Sequence, residues 1–461
     1  MPSFLSRWLA KAPAPVFILY AVVVAFSTYF CMYAFRKPFA AATFHGQSFF
    51  GSGVQLKTAL VISQIIGYAL SKFIGIKVCS EAGGAKRARL LVWLIACAEG
   101  ALILFAIVPP NWRIIPIFFN GLPLGMVWGL VVSYLEGRRT SELLLAGLSC
   151  SFIVSSGIVK DFARALMEGT VAKWWNAVPV IGPTIASWGS SVSEAWMPAV
   201  TGFYFLVPFL ISVWLLNQIP RPDAQDVKER VARKPMDRRE RLAFVREFSF
   251  GIILLCSAYF FLTGYRDFRD NYQVELFDGL GYAYKQNQMI ISRTETLVAF
   301  GVLGALALLS LFRENKSGLL AAFGVMSGGA ALMGISTLLL DAKMISGFWW
   351  MTLIGLGSYL AYVPYGSLLF DRLIASTGIV GTAVFAIYVA DAVGYTGSVG
   401  LQLFKDLAES GTSRLVFFKH YTYFMSILGT ICLVSSCVYF LRRQRRVTKI
   451  QTPVQSEIIN A

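Results

Sequence analysis

The chain has 461 residues, 56% of them hydrophobic and 14% charged, with a net charge of +16. Soluble domains carry about 25% charged residues, so this composition excludes an ordinary globular protein, and the length divides into membrane spans instead. The positive charge does not point to nucleic acid, because the basic residues alternate from loop to loop as the positive-inside rule requires.

A helix crosses about 30 Å of hydrocarbon with about 20 apolar residues. Such runs begin near Val16, Gln55, Ala88, Trp112, Leu143, Pro198, Phe248, Thr294, Gly318, Gly347, Ile379 and Tyr421, predicting twelve spans. Arg7 and Lys11 precede the first. Lys77, Lys86, Arg87 and Arg89 lie between spans two and three, Arg138 and Arg139 between four and five, and Arg313 and Lys316 between eight and nine. The tail carries Arg442, Arg443, Arg445, Arg446 and Lys449. Both termini are therefore expected in the cytoplasm, in a multi-pass protein of the cell (inner) membrane. The first run could pass for a signal peptide, but it extends from Val16 to about Phe35 and meets Arg36-Lys37 at once, so it is read as an uncleaved span.

Span one ends in Tyr29-Phe30-Cys31-Met32-Tyr33-Ala34-Phe35-Arg36-Lys37. Helical spacing places Tyr29, Tyr33 and Arg36 or Lys37 on one face. Span two repeats the pairing of phenol and cation one turn apart, with Tyr68 and Lys72. A guanidinium fork binds oxygens in pairs while tyrosine hydroxyls donate further bonds, which suits a phosphate or carboxylate. Lys37 and Lys72 could instead reach toward the headgroups. Span five carries Lys160 and Asp161 with Arg164; the first two are either a structural pair or part of a coupling site. Residues 167–197, with Trp174, Trp175, Trp188 and Trp196, are expected at the membrane interface. Residues 220–247 are polar and rich in both charges, a cytoplasmic linker.

The second half echoes the first. Ser27, Tyr29, Phe30, Phe35 and Arg36 return as Ser257, Tyr259, Phe260, Tyr265 and Arg266, at one offset of 230 residues. Gly121, Ser133, Leu135 and Arg138 return as Gly355, Ser367, Leu369 and Arg372, at an offset of 234, which Gly147 and Gly381 keep. A charge at mid-membrane costs roughly 2.5–3.5 kcal/mol on insertion scales, so two arginines at equivalent places suggest an anion held on the axis between the halves. Residues 267–293 are expected to extend span seven beyond the membrane. Tyr359 and Tyr395 stand among glycines in spans ten and eleven, and Asp391 precedes Tyr395 by one turn. A buried carboxylate there is either a counter-ion for an arginine or a proton carrier.

The expected fold is an all-α polytopic membrane protein, twelve transmembrane helices in two pseudo-symmetric six-helix halves. Its parts are an N-terminal half (1–219), the linker (220–247), a C-terminal half (248–441) and a basic tail (442–461). A parallel repeat of six spans with a cytoplasmic linker is the architecture of the major facilitator fold. The seven cysteines are odd in number and lack metal-type spacing, and His45 and His420 are far apart, so no metal or cofactor is expected. No nucleophile, base and orienter stand together, so an enzyme is not expected either.

The stretch Tyr29 to Lys37, Gly67-Tyr68 with Ser71-Lys72-Phe73-Ile74, Asn120-Gly121 with Gly125-Met126 and Trp128, Met351 to Gly355 with Tyr359, and Gly394-Tyr395 with Gly397-Ser398 carry a resemblance. Together they resemble the organophosphate:phosphate antiporters, the glycerol-3-phosphate and hexose-phosphate carriers of the major facilitator superfamily. The resemblance implies that Arg36 and Arg266 grip phosphate, that Lys37 and Lys72 are accessory cations, and that Tyr29, Tyr33, Tyr68, Tyr359 and Tyr395 line the pocket. It also implies exchange of a phosphate ester for inorganic phosphate. The chain departs from the family at Phe152, where a histidine is usual, at Thr263, where a tyrosine is usual, and in the loop Ser80 to Arg87. Lys160, Asp161 and Asp391 are further polar groups beyond the family pattern.

The function expected is thus an alternating-access carrier for an organic anion, a phosphate ester exchanged for inorganic phosphate. The protein is expected to be a monomer in the bilayer with no nucleic-acid partner. The alternatives are proton-coupled symport of a carboxylate or amino acid through Asp391, and a sugar-phosphate sensor.

Overall fold

The computed structural model describes residues 3–81, 85–136, 138, 140–171, 191–220, 222, 246, 248–283, 285–312, 314–370, 372–373 and 383–459. The linker 220–247 and residues 172–190 of the tryptophan-bearing segment lie almost entirely outside this set.

Among the described residues, twelve long helices follow in chain order. The first six are α1 (Ala14–Tyr33), α2 (Leu56–Glu81), α3 (Ala85–Ile107), α4 (Ile114–Leu135), α5 (Ser141–Met167) and α6 (Met197–Leu216). The second six are α7 (Ser249–Asn271), α8 (Ile290–Ser310), α9 (Asn315–Asp341), α10 (Gly347–Pro364), α11 (Ala383–Leu407) and α12 (Arg414–Ile459). Among the described residues, ten helices are long and apolar enough to cross a membrane by length and composition. Helices suit this sequence because hydrocarbon offers backbone groups no partner and a helix satisfies them internally. The long apolar runs supply what the membrane solvates, as in the exposed Phe203, Val207, Ile211 and Trp214 of α6. The protein is an all-α polytopic membrane protein of twelve transmembrane helices.

Two compact units are defined by packing. One comprises Met1–Arg230, Phe268–Phe300 and Leu401–Phe417; the other comprises Val231–Asp267, Gly301–Gly400 and Phe418–Ala461.

In the first unit, glycines bring α2 and α4 together. A Cβ at Gly67 would strike the carbonyl of Phe118, one at Gly121 the carbonyl of Gln64, and one at Gly125 the carbonyl of Tyr68 and the hydroxyl of Ser71. Gly121 and Gly125 form the small-xxx-small pattern that lets membrane helices approach backbone to backbone. In the second unit, Gly329 of α9 and Gly357 of α10 face one another in the same way, each lacking room for a Cβ against the other's carbonyl oxygen (2.6 and 2.5 Å).

The span-seven extension takes a specific form. Helix α7 continues to Asn271, the chain turns at Tyr272, and a short helix, Gln273–Gly279, follows before α8. Gln273, Val274, Leu276 and Phe277 of that short helix are buried. The basic tail continues the last helix, since α12 runs on to Ile459.

Candidate anion-binding site

Helix α1 stops earlier than its spacing suggests. It ends at Tyr33, and Arg36 and Lys37 occupy the turn beyond it, both backbone N–H groups donating to the carbonyl of Tyr33. Pro38 keeps the helix from resuming, because it has no N–H to donate and its ring blocks the carbonyl four residues back. The broken end exposes carbonyls, and amides from neighbouring helices take them. Asn120 Nδ2 donates to the carbonyl of Phe35 (2.9 Å), and Gln64 Nε2 donates to that of Arg36 (2.9 Å) and to Asn120 Oδ1 (2.8 Å). The α2–α4 contact thereby fixes the backbone that carries Arg36.

The Arg36 guanidinium lies over the ring of Tyr68, its Cζ 3.9 Å from the ring centre, and 5.7 Å from that of Tyr33. Lys72 Nζ approaches the same Tyr68 ring at 5.9 Å. Tyr29 packs edge-on against Tyr33 (5.6 Å) and Trp128 (4.9 Å), and Trp128 against Phe152 (6.0 Å). Five of the residues predicted for binding, Tyr29, Tyr33, Arg36, Tyr68 and Lys72, thus gather in the first unit. An aromatic wall that includes Phe152 adjoins them.

Arg266 differs in setting, since it sits inside α7. Its Cζ is 4.0 Å from the ring centre of Tyr362, and its Nη2 pairs with Asp267 Oδ1 at 2.9 Å. Asp267 Oδ2 also accepts from Ser398 Oγ of α11 (2.9 Å). Tyr259, the counterpart of Tyr29, stacks on Tyr362 (5.2 Å) and packs against Tyr365 (4.6 Å). Its hydroxyl donates to Asp391 Oδ1 at 2.7 Å. Gly394 permits this, because a Cβ there would lie 2.9 Å from the Tyr259 ring and 2.6 Å from Thr263 Oγ1. Tyr359 is buried on α10 one turn before Tyr362, and Tyr395 is half-buried on α11. Asp391 thus accepts from a tyrosine, and Arg266 pairs with Asp267.

Lys37, Lys160 and Asp161 belong to a different cluster of the first unit. Lys37 Nζ pairs with Asp270 Oδ2 (2.5 Å) and donates to Asn271 Oδ1 (3.0 Å). Lys160 Nζ reaches Asp270 Oδ1 (2.8 Å), its carbonyl (2.7 Å) and Gln273 Oε1 (2.7 Å). Two buried lysines share one aspartate. Asp161 Oδ2 accepts from the backbone and hydroxyl of Ser292 (2.7 and 2.6 Å). Arg269 pairs with Glu295 (2.8 Å), and Lys57 with Glu275 (2.6 Å). A Cβ at Gly157 would come within 2.8 Å of Glu295 Cγ, so the glycine makes room for that acid.

Asp267, Asp270, Tyr362, Gln64 and the buried Glu99 of α3 are absent from the sequence-based expectation, and Asn120 enters it only within the resemblance. For two of them a signal was present. Asp267 adjoins Arg266, and Tyr362 follows Tyr359 by three residues, on the same helical face.

With this geometry in place, comparison with known proteins gives the family. A family model described as a family of unknown function, DUF5690, matches residues 38–185 and 177–443. The chain belongs to the DUF5690 family. No curated protein sequence matches it. Among solved structures, a bacterial homologue of the human lysosomal transporter Spinster, inward-facing and occupied, is 12% identical with a TM-score of 0.57; the match covers 94% of this chain and 98% of that one. A bacterial homologue of the human drug peptide transporters PepT1 and PepT2 is also 12% identical, with a TM-score of 0.55 over 93% of this chain and 99% of that one. The nucleoside transporter NupG is 10% identical, with a TM-score of 0.53 over 91% and 99%. At these identities the likeness shows the fold, and that fold is the major facilitator one. This DUF5690 chain thus has the architecture its internal repeat predicts, two pseudo-symmetric sets of six helices.

Proposed function

We propose that this member of DUF5690 is an alternating-access secondary transporter for an organic anion, a phosphate ester exchanged for inorganic phosphate. The observation that carries the reading is the pair of sequence-equivalent arginines, each laid on a tyrosine ring at 3.9 and 4.0 Å. Stacking covers a face of the guanidinium and holds its plane, while its N–H donors lie in that plane and grip oxygens in pairs. A dianionic phosphate supplies the charge and the acceptors that such a guanidinium calls for. Asp267 fits the part of a resident counter-ion at Arg266, to be outcompeted by an entering anion. The wall of Tyr29, Trp128 and Phe152 offers apolar contact to the organic part of an ester.

Thermal unfolding of the purified protein tests the assignment. A ligand at a hundred times its dissociation constant stabilises by about 2.7 kcal/mol. Inorganic phosphate and phosphate esters are expected to raise the unfolding temperature of the wild type and to lose that effect in Arg36→Lys and Arg266→Lys. A lysine keeps the charge but not the planar fork. Equal shifts in all three proteins would overturn the assignment. A shift with carboxylates and none with phosphate would favour the carboxylate symporter.

A further inference from the structure

Glu99 lies in the middle of α3 and takes no part in either arginine cluster. Its side chain is buried, 6% exposed, and neither carboxyl oxygen has a hydrogen-bond partner among the described residues. It packs on Gly202 of α6, where a Cβ would collide with Glu99 Oε2 and lie 3.1 Å from the ring of Phe35. Asn120 of α4 donates to the carbonyl of the preceding residue, Ala98, and not to the carboxyl. The glycine thus shapes a niche for the carboxyl but supplies it no donor.

The surrounding helices offer no counter-charge. Helices α1, α4 and α6 contain no Asp, Glu, Lys, Arg or His at all. Their titratable side chains are Tyr20, Tyr29, Tyr33, Tyr134, Tyr204 and Cys31. Beyond α1, Arg36 lies on Tyr68 and Lys37 is ion-paired with Asp270. Arg113, in the turn before α4, lies over Phe105, six residues or about 9 Å farther along α3. The basic residues of α3 itself, Lys86, Arg87 and Arg89, are at its opposite end, and Cys97 is exposed. Among the described residues, an ionised carboxylate in this niche would have neither a hydrogen bond nor a counter-ion, whereas the neutral acid leaves no buried charge.

We propose that Glu99 is a proton-binding site, occupied in the conformation described here, and that its release of the proton to water elsewhere in the cycle couples transport to a pH gradient. The coupling rests on the carrier reading above, while the proton site does not.

Infrared spectroscopy of the purified wild-type protein at neutral pH tests the site without any substrate. A carboxylic-acid carbonyl band is expected that shifts in heavy water, vanishes in Glu99→Gln, moves in frequency in Glu99→Asp and stays in Asp391→Asn. A spectrum unchanged by Glu99→Gln would overturn the proton site. Coupling is read in proteoliposomes with radiolabelled inorganic phosphate. Glu99→Gln is expected to lose the uptake that an imposed pH gradient drives in the wild type. Gradient-driven uptake equal to the wild type, or wild-type exchange indifferent to the gradient, would overturn the coupling. Absence of any phosphate movement in the wild type would sink the phosphate reading and leave the infrared result to decide the proton site.

Discussion

At Arg36 and Arg266 the guanidinium lies on the face of a tyrosine ring, Tyr68 or Tyr362, whose hydroxyl lies in the ring plane. Tyr68→Phe and Tyr362→Phe keep the π face and are expected to retain most phosphate affinity. Tyr68→Leu and Tyr362→Leu remove it and are expected to weaken binding by about 0.5–2 kcal/mol, measured by calorimetric titration. Equal losses in the Phe and Leu variants would show that the hydroxyls matter instead. Much of this site was legible in the sequence, because tyrosine and cation recur at helical spacing in spans one and two, and Tyr29, Tyr33, Arg36, Tyr68 and Lys72 do gather. Other assignments exceeded what spacing carries. Lys37 pairs with Asp270 and Asn271, more than two hundred residues away, and Lys160 with Asp270 and Gln273. Periodicity places a side chain on a face and says nothing of what a distant helix brings to that face.

Among the elements, α2 and α4 depend on glycine at their crossing, and the turn after α1 depends on that crossing. Gly67→Leu or Gly121→Leu would force the helices apart, cost about 1–3 kcal/mol or more of stability, and displace the amides that hold Phe35 and Arg36. A lowered unfolding temperature together with lost phosphate binding is the expected result. A variant as stable as the wild type would contradict the close packing. The helices themselves were largely readable. The predicted starts at Val16, Gln55, Gly318 and Gly347 fall within three residues of the observed Ala14, Leu56, Asn315 and Gly347, since a long apolar run is a strong signal. The end of α1 was misplaced because the apolar run continues to Phe35, whereas the backbone answers to Pro38.

For the whole molecule, the buried charges at Lys37, Lys160 and Asp270 join α5 and the turn after α1 to the last turn of α7, within one compact unit. Removing one member leaves buried charge uncompensated, so Asp270→Asn is expected to destabilise the protein by about 3–5 kcal/mol, with partial recovery when Lys160→Met is added. Unfolding in detergent reads this, and an Asp270→Asn protein as stable as the wild type would contradict it. The fold and its repeat were visible in the sequence as offsets of 230 and 234 residues. This cluster was not, because it has no counterpart at the equivalent offset. The central claim is anion exchange through the two arginines. Its most direct test is the exchange of radiolabelled inorganic phosphate in liposomes, with and without phosphate inside, for the wild type, Arg36→Lys and Arg266→Lys. Losing a charge-assisted pair is worth about 1.5–3 kcal/mol, so each variant is expected to exchange about ten- to a hundredfold more slowly. The wild type should need internal phosphate. Wild-type rates in both variants, or uptake indifferent to internal phosphate, would contradict the account.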